Sequence, residues 1–80
     1  MPVNYLPIAC ATHERLELAV LRRQPLQLTW LGEDGHTQFC ERILPLDVET
    51  RDGAEWLTIK LPAGGSECVR LDHIHKVIER

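Results

Sequence analysis

The histidines near the end of the chain are the residues whose type and spacing best suit a metal ion. His73 and His75 are two residues apart and follow Asp72, and Cys68 lies shortly before them. Side chains two apart in a β-strand point to the same face, and a His-x-His pair can bind zinc. A complete site would need a further ligand placed by the fold. An enzymatic or metal-sensing site at Asp72, His73 and His75 therefore stays open as an alternative.

Other residue types that carry out catalysis lack the sequence context they need. Ser66 has no base at a recognisable spacing and no nucleophile elbow, and the Gly-Gly pair at 64–65 lacks the lysine and helix of a phosphate-binding loop. The cysteines at positions 10, 40 and 68 form no CxxC pair, which favours reduced thiols that pack as small hydrophobes. We therefore predict a protein that is not an enzyme and needs neither a cofactor nor a metal.

Acidic residues are concentrated in the middle of the chain. The formal net charge is −3, and residues 26–57 hold seven acidic residues against two arginines. Nucleic acids are bound chiefly by Lys and Arg side chains that neutralise phosphates, so we expect no direct contact with nucleic acid. A basic protein partner suits this distribution better. The other interpretation is that these acids keep a small domain soluble.

The start of the chain predicts an extended arm over residues 1–11 and a helix over 12–24. Prolines in the arm favour extended backbone, Thr12 is a suitable N-cap, and Pro25 ends the helix.

One face of this helix is acidic with an apolar centre. At 100° per residue, Leu16 and Val20 share the face that should pack on the domain, whereas Glu14 and Glu17 lie on another face with Leu21 between them. This second face is either a partner-binding surface or an ordinary solvated helix face.

Five short antiparallel strands are predicted after the helix. The first two form a hairpin that runs to Ile43, Pro45 marks an edge, bulge or loop before the third, and the last ends at Ile74, leaving 75–80 as a tail. A flat sheet of so few residues would leave one face unburied and both edges open. The expected fold is therefore mainly β (α+β), with the helix followed by a strongly bent Sm-like or SH3-like small barrel over residues 26–74.

Length and composition predict a single domain over residues 1–80. The chain is 44% hydrophobic and 26% charged, and it is too short for two hydrophobic cores. It opens without the pattern of a signal peptide, and its apolar runs are too short for a membrane span. We expect a cytoplasmic protein that makes no membrane contact and is a monomer when free.

Five segments match, in order and spacing, the pattern of a known family. These segments are Tyr5 to Cys10, Leu16 to Ala19, Asp34-Gly35, Glu55 to Leu57, and Arg70 to Ile74. Through them the chain resembles, over about residues 5–74, the Rof family of Rho-binding antiterminators, also called YaeO.

The resemblance implies an Sm-like barrel preceded by a helix, and a function as inhibitor of the hexameric RNA helicase Rho. Proteins of this family bind the N-terminal RNA-binding domain of Rho and keep RNA from loading, so that transcription continues. An acidic binder suits a surface that holds phosphates, because their charges are complementary. An Sm-like RNA-binding module remains the alternative function.

The resemblance also implies which residues contact Rho. They come from the helix and from the tip of the turn between the third and fourth predicted strands. The matching positions here are His13, Glu14, Glu17, Arg51, Asp52 and Gly53. Some relatives have two acids where this chain has Ala11 and Thr12, and this turn is longer and more acidic than the basic turn of some relatives.

Overall fold

A computed structural model describes residues 10–79 of the chain as one helix followed by five strands. The mainly β fold with an N-terminal helix is therefore confirmed. The predicted arm lies outside the described residues over positions 1–9. The elements are α1 (Cys10–Arg22), β1 (Leu26–Leu31), β2 (Gln38–Arg51), β3 (Ala54–Lys60), β4 (Ser66–Arg70), a 3-10 helix (Leu71–His73) and β5 (Ile74–Glu79).

Helix α1 is shifted toward the N-terminus from its predicted bounds of 12–24. It begins at Cys10, so the prediction that Thr12 is its N-cap is wrong. It ends where Arg23 adopts a left-handed conformation with φ of 52°. The amides of Arg23 and Gln24 then donate to the carbonyls of Val20 and Ala19, at 3.2 and 2.9 Å. This pair of bonds satisfies carbonyls that the last turn would otherwise leave unpaired.

The strands form one antiparallel sheet in the order β4-β3-β2-β1-β5. Five antiparallel strands were predicted and five are present, but the predicted second and third strands form the single strand β2, and β5 was not predicted as a strand. Strand β2 continues through Pro45, because a register shift between Pro45 and Asp47 accommodates the residue that cannot donate to the ladder. The predicted C-terminal tail is strand β5, which pairs with β1 through Leu28 opposite Val77.

The two edge strands of the sheet are close neighbours in the chain. Strand β4 ends at Arg70 and β5 begins at Ile74, with only the 3-10 helix between them. These two residues can therefore be at most about 15 Å apart, so the sheet has to curl. The ladder of the described strands nevertheless ends at β4 and β5 without closing into a barrel.

The hydrophobic core lies between α1 and the inner face of the sheet. Of the two helix residues predicted to pack on the domain, Leu16 is fully buried, whereas Val20 is only half-buried at the margin of the core. Other fully buried residues of the core include Leu28, Leu57, Ile59 and Leu71. Trp30 is also in the core and stacks on Phe39 with ring centroids 5.4 Å apart. Within residues 10–79, no helix is long and apolar enough to cross a membrane.

Candidate functional site

A groove of about 600 Å³ lies between α1 and β2, and we call it the α1 groove. Its chemistry is mixed, with carboxylates beside aliphatic side chains. Leu21 is 79% exposed and Leu18 is 45% exposed, and at three residues apart they are neighbours on one face of α1. The lining residues are Glu14, Glu17, Leu18, Val20 and Leu21 from α1, and Asp47 and Val48 from β2.

The acidic helix face predicted from the 3.6-residue period lies in the α1 groove. Glu14, Glu17 and Leu21 all line it, so the acidic face with an apolar centre is present in the structure. Asp47 adds a third carboxylate from the opposite wall. No lysine or arginine lines the described groove, so its charge is negative. Such a surface suits a basic partner that also has apolar groups to bury.

His13 is held between two carboxylates rather than exposed at the tip of the helix. Its Nε2 lies 2.7 Å from an oxygen of Glu55 on β3, and its Nδ1 lies 3.4 Å from an oxygen of Glu17. Only the imidazolium form carries protons on both ring nitrogens and can donate to both carboxylates. With a side chain 23% exposed, His13 positions α1 and offers little surface to a partner.

The turn between β2 and β3 is a two-residue hairpin with a defined conformation. Asp52 and Gly53 have positive φ angles of 53° and 77°, the pattern of a type I′ turn. Arg51 is held in place because its guanidinium carbon lies 4.9 Å from the centroid of the Trp56 ring. The indole N–H of Trp56 also donates to the Arg51 carbonyl at 3.2 Å. The turn therefore presents its exposed residues in one arrangement.

The two predicted partner-binding segments meet at Glu55. This residue pairs with Thr50 across the β2–β3 hairpin and also contacts His13 of α1. The base of the turn thus lies against the first half of the helix. Sequence reasoning missed Glu55, Asp47 and Val48 as site residues, because their alternating pattern identifies a strand but not which helix packs on it.

The alternative metal site is not assembled in the described part of the chain. His73 lies in the 3-10 helix and His75 in β5, so the prediction that both lie on one strand face is wrong. The carboxylate of Asp72 accepts hydrogen bonds from Nε and Nη2 of Arg70 at 2.9 and 2.5 Å. Over residues 10–79, no three His, Cys, Asp or Glu side chains are grouped so as to hold a metal ion.

The cysteines with described side chains form no disulfide, but they do not pack as small hydrophobes. Cys40 and Cys68 are both exposed. The sulfur of Cys40 accepts hydrogen bonds from Gln27 and Thr29 at 3.2 and 3.3 Å. The expectation that these thiols fill the core is therefore wrong, because both lie on the outer face of the sheet.

No protein-family model, curated protein or solved structure matches the chain. The residues of the site form an acidic and partly apolar surface over α1, β2 and the β2–β3 turn.

Proposed function

We propose that this protein inhibits Rho-dependent transcription termination by binding the N-terminal RNA-binding domain of Rho and blocking RNA loading. The observation that supports this proposal most strongly is the α1 groove, where three carboxylates surround exposed leucines. The resemblance of residues 5–74 to the Rof family supplies the identity of the partner.

The negative charge of the α1 groove is complementary to the positive charge of an RNA-binding surface. Such a surface holds phosphates through lysine and arginine side chains, and the same cations can form charge-assisted hydrogen bonds with Glu14, Glu17 and Asp47. Long-range attraction between the two surfaces also raises the association rate. A protein bound there would occupy the cationic groups that RNA needs, so the two ligands would compete.

The apolar part of the groove can contribute affinity that charge alone does not. Leu21 has most of its surface in water, and burying a leucine side chain fully contributes about 1.5–3 kcal/mol. Carboxylates around such a contact would be partly desolvated, which strengthens their attraction to cations. The groove therefore suits a partner in which basic and apolar residues alternate over a small area.

The contacts beneath the surface fix the arrangement before binding. The His13–Glu55 contact holds α1 against β3, and the Arg51–Trp56 stack holds the turn. A preorganised surface loses less conformational entropy on binding than a mobile one.

The proposal includes the finer fold and the location. We propose an Sm-like barrel because a five-stranded antiparallel sheet has its two edge strands joined by only three residues. Rho acts on nascent transcripts in the bacterial cytoplasm, so the protein would act there too, and α1 with the β2–β3 turn would face Rho.

Order of addition to Rho tests the mechanism. Purified full-length chain is titrated into Rho carrying a fluorescent oligocytidine, and we expect displacement of the oligonucleotide together with read-through at a Rho-dependent terminator in vitro. If Rho saturated with oligocytidine captures the chain as well as free Rho does, competition is the wrong mechanism. If the chain does not bind Rho but binds RNA in a salt-dependent way, the RNA-binding alternative replaces the proposal.

A further inference from the structure

A second pocket, of about 230 Å³, lies at the open edge of the sheet, and we call it the seam pocket. It shares no lining residue with the α1 groove. Strand β5 begins at Ile74, directly after the 3-10 helix. Ile74 lies opposite Trp30, so the end of β1 beyond Trp30 does not pair with β5. The end of β1 and the outer edge of β4 are left facing each other. The lining residues are Trp30, Leu31, Gly32, Glu33, Trp56, Glu67, Cys68, Val69, Arg70 and His73.

The indole N–H of Trp30 is a buried donor in this wall. The residue is 1% exposed, and its Nε1 makes no hydrogen bond within residues 10–79. A buried donor without an acceptor costs about 1–3 kcal/mol, and buried polar atoms are almost always satisfied. The N–H has essentially no surface open to solvent, so an acceptor reaches it only when the ends of β1 and β4 part. A ligand that parts them and presents a carbonyl or similar oxygen would remove this cost.

The charges of the seam pocket favour a cation beside that acceptor. Glu33 and Glu67 line it, and neither forms an ion pair with a described side chain. The guanidinium of Arg70 already pairs with the carboxylate of Asp72, so it does not offset the two glutamates. A ligand that carries a positive charge would bring the local charge closer to zero.

The third feature is the backbone of β4 itself. Strand β4 is an edge of the sheet and pairs only with β3 among the described strands. An edge strand presents amide and carbonyl groups to which an extended segment can add as a further strand. One ligand class satisfies all three features, because an extended peptide supplies carbonyl acceptors, backbone pairing groups and, with lysine or arginine, a positive charge.

We infer that the seam pocket binds a basic residue of a short extended protein segment that pairs with the outer edge of β4. A backbone carbonyl of the segment accepts the Trp30 indole N–H, and the lysine or arginine side chain lies between Glu33 and Glu67. This surface is distinct from the α1 groove. The inference therefore holds or fails independently of binding to Rho.

The two tryptophans of the chain give the experiment a direct readout. Full-length ¹⁵N-labelled protein is titrated with a blocked peptide in which valine alternates with lysine, while the assigned indole signals of Trp30 and Trp56 are followed. We expect a saturable downfield shift of the Trp30 indole proton and shifts of β4 amides. The same peptide with glutamate in place of lysine should leave both unchanged.

Two double variants separate the pockets. Glu33→Gln with Glu67→Gln should weaken the lysine peptide by about tenfold, because each loses a charge-assisted contact, whereas Glu14→Gln with Glu17→Gln should change its affinity less than about twofold. The inference is overturned if the Trp30 indole signal does not move during the titration. That result would mean that the peptide supplies no acceptor to the indole N–H. A loss of affinity that follows the α1 groove variant, or equal binding of the two peptides, also overturns it.

Discussion

His13 on α1 and Glu55 on β3 are 42 residues apart in the chain, yet their side chains meet at 2.7 Å. The contact joins the first half of the helix to the base of the β2–β3 turn. Two segments that the family resemblance implies as partner contacts therefore lie side by side. Because both ring nitrogens of His13 face carboxylates, its side chain holds that arrangement.

Glu55→Gln should weaken Rho binding more than it lowers stability. The substitution keeps the shape of the side chain but removes the carboxylate charge that faces the His13 ring. Because Glu55 is 30% exposed and His13 is 23% exposed, solvent screens the pair, and we expect a loss of under about 1 kcal/mol in unfolding free energy. Urea denaturation and a binding titration measure the two effects. Glu49→Gln changes the net charge equally on exposed β2, and equal effects of both variants would contradict a positioning role.

Leu21→Ala should affect binding but not folding. The side chain is 79% exposed, so its truncation should change the unfolding free energy by less than about 0.5 kcal/mol. If Rho buries it, the lost contact should weaken binding by about tenfold, or ~1.4 kcal/mol. This is slightly less than the ~1.5–3 kcal/mol for burying a whole leucine side chain, because alanine keeps one methyl group. Calorimetric titration of Rho measures the change. Unchanged affinity would show that the apolar part of the α1 groove stays in water.

Leu57→Ala should do the opposite and destabilise the fold. Leu57 is fully buried in β3 and belongs to the core cluster. Removing its side chain leaves a cavity and should cost about 2–5 kcal/mol of unfolding free energy, a large fraction of the stability of a small domain. A thermal melt equal to that of the parent protein would show that the core is arranged differently.

Asp34 should remain ionised in acid. A hydrogen bond from the Thr37 hydroxyl, with further bonds from the amides of Thr37 and His36, lowers the pKa of Asp34 from 3.8 to about 2. A lowered folded-state pKa stabilises the fold above the unfolded value, so this contribution is lost as pH falls from about 4 to 2. Carboxyl NMR signals followed against pH measure the midpoint. In Thr37→Val the midpoint should rise, and an unchanged midpoint would exclude the hydroxyl as the main cause.

Local patterns predict most of the elements but fail at two strands for identifiable reasons. The 3.6-residue period of α1 and the alternation of β1 are visible because each buries one face. Strand β5 is hidden because His75 and Lys76 interrupt its alternation, and its pairing with β1 depends on distant residues. Pro45 resembles a strand break, although a bulge carries β2 past it.

The candidate site is predictable only where it is local. Helical geometry alone places Glu14, Glu17 and Leu21 on one face, and the groove contains all three. Its other wall comes from Asp47 and Val48, which reach the helix only through the packing of α1 on β2. The unpaired indole of Trp30 is beyond sequence reasoning as well, because the surroundings of a buried side chain depend on how distant segments pack.

The last prediction concerns Glu17, whose side chain is 54% exposed and lines the α1 groove. If it meets a lysine or arginine that otherwise holds an RNA phosphate, Glu17→Lys replaces an attraction with a repulsion. Removing one partner of a desolvated charge pair costs about 2–5 kcal/mol, so reversal should weaken Rho binding by at least about tenfold, or ~1.4 kcal/mol. Its pairing with His13 is exposed and at 3.4 Å, so the melting temperature should change little.

Glu79→Lys is the matched control for this charge reversal. Glu79 is 49% exposed at the end of β5 and lines neither pocket, and its one ion pair within residues 10–79 is with Arg15 at 3.6 Å. Both variants change the net charge equally, so a general electrostatic effect would weaken them alike and fade as salt rises. Titrations against Rho at low and high salt compare them. Equal losses would mean that Glu17 belongs to a diffuse acidic surface, whereas a loss confined to Glu17→Lys that persists at high salt identifies α1 as the binding element.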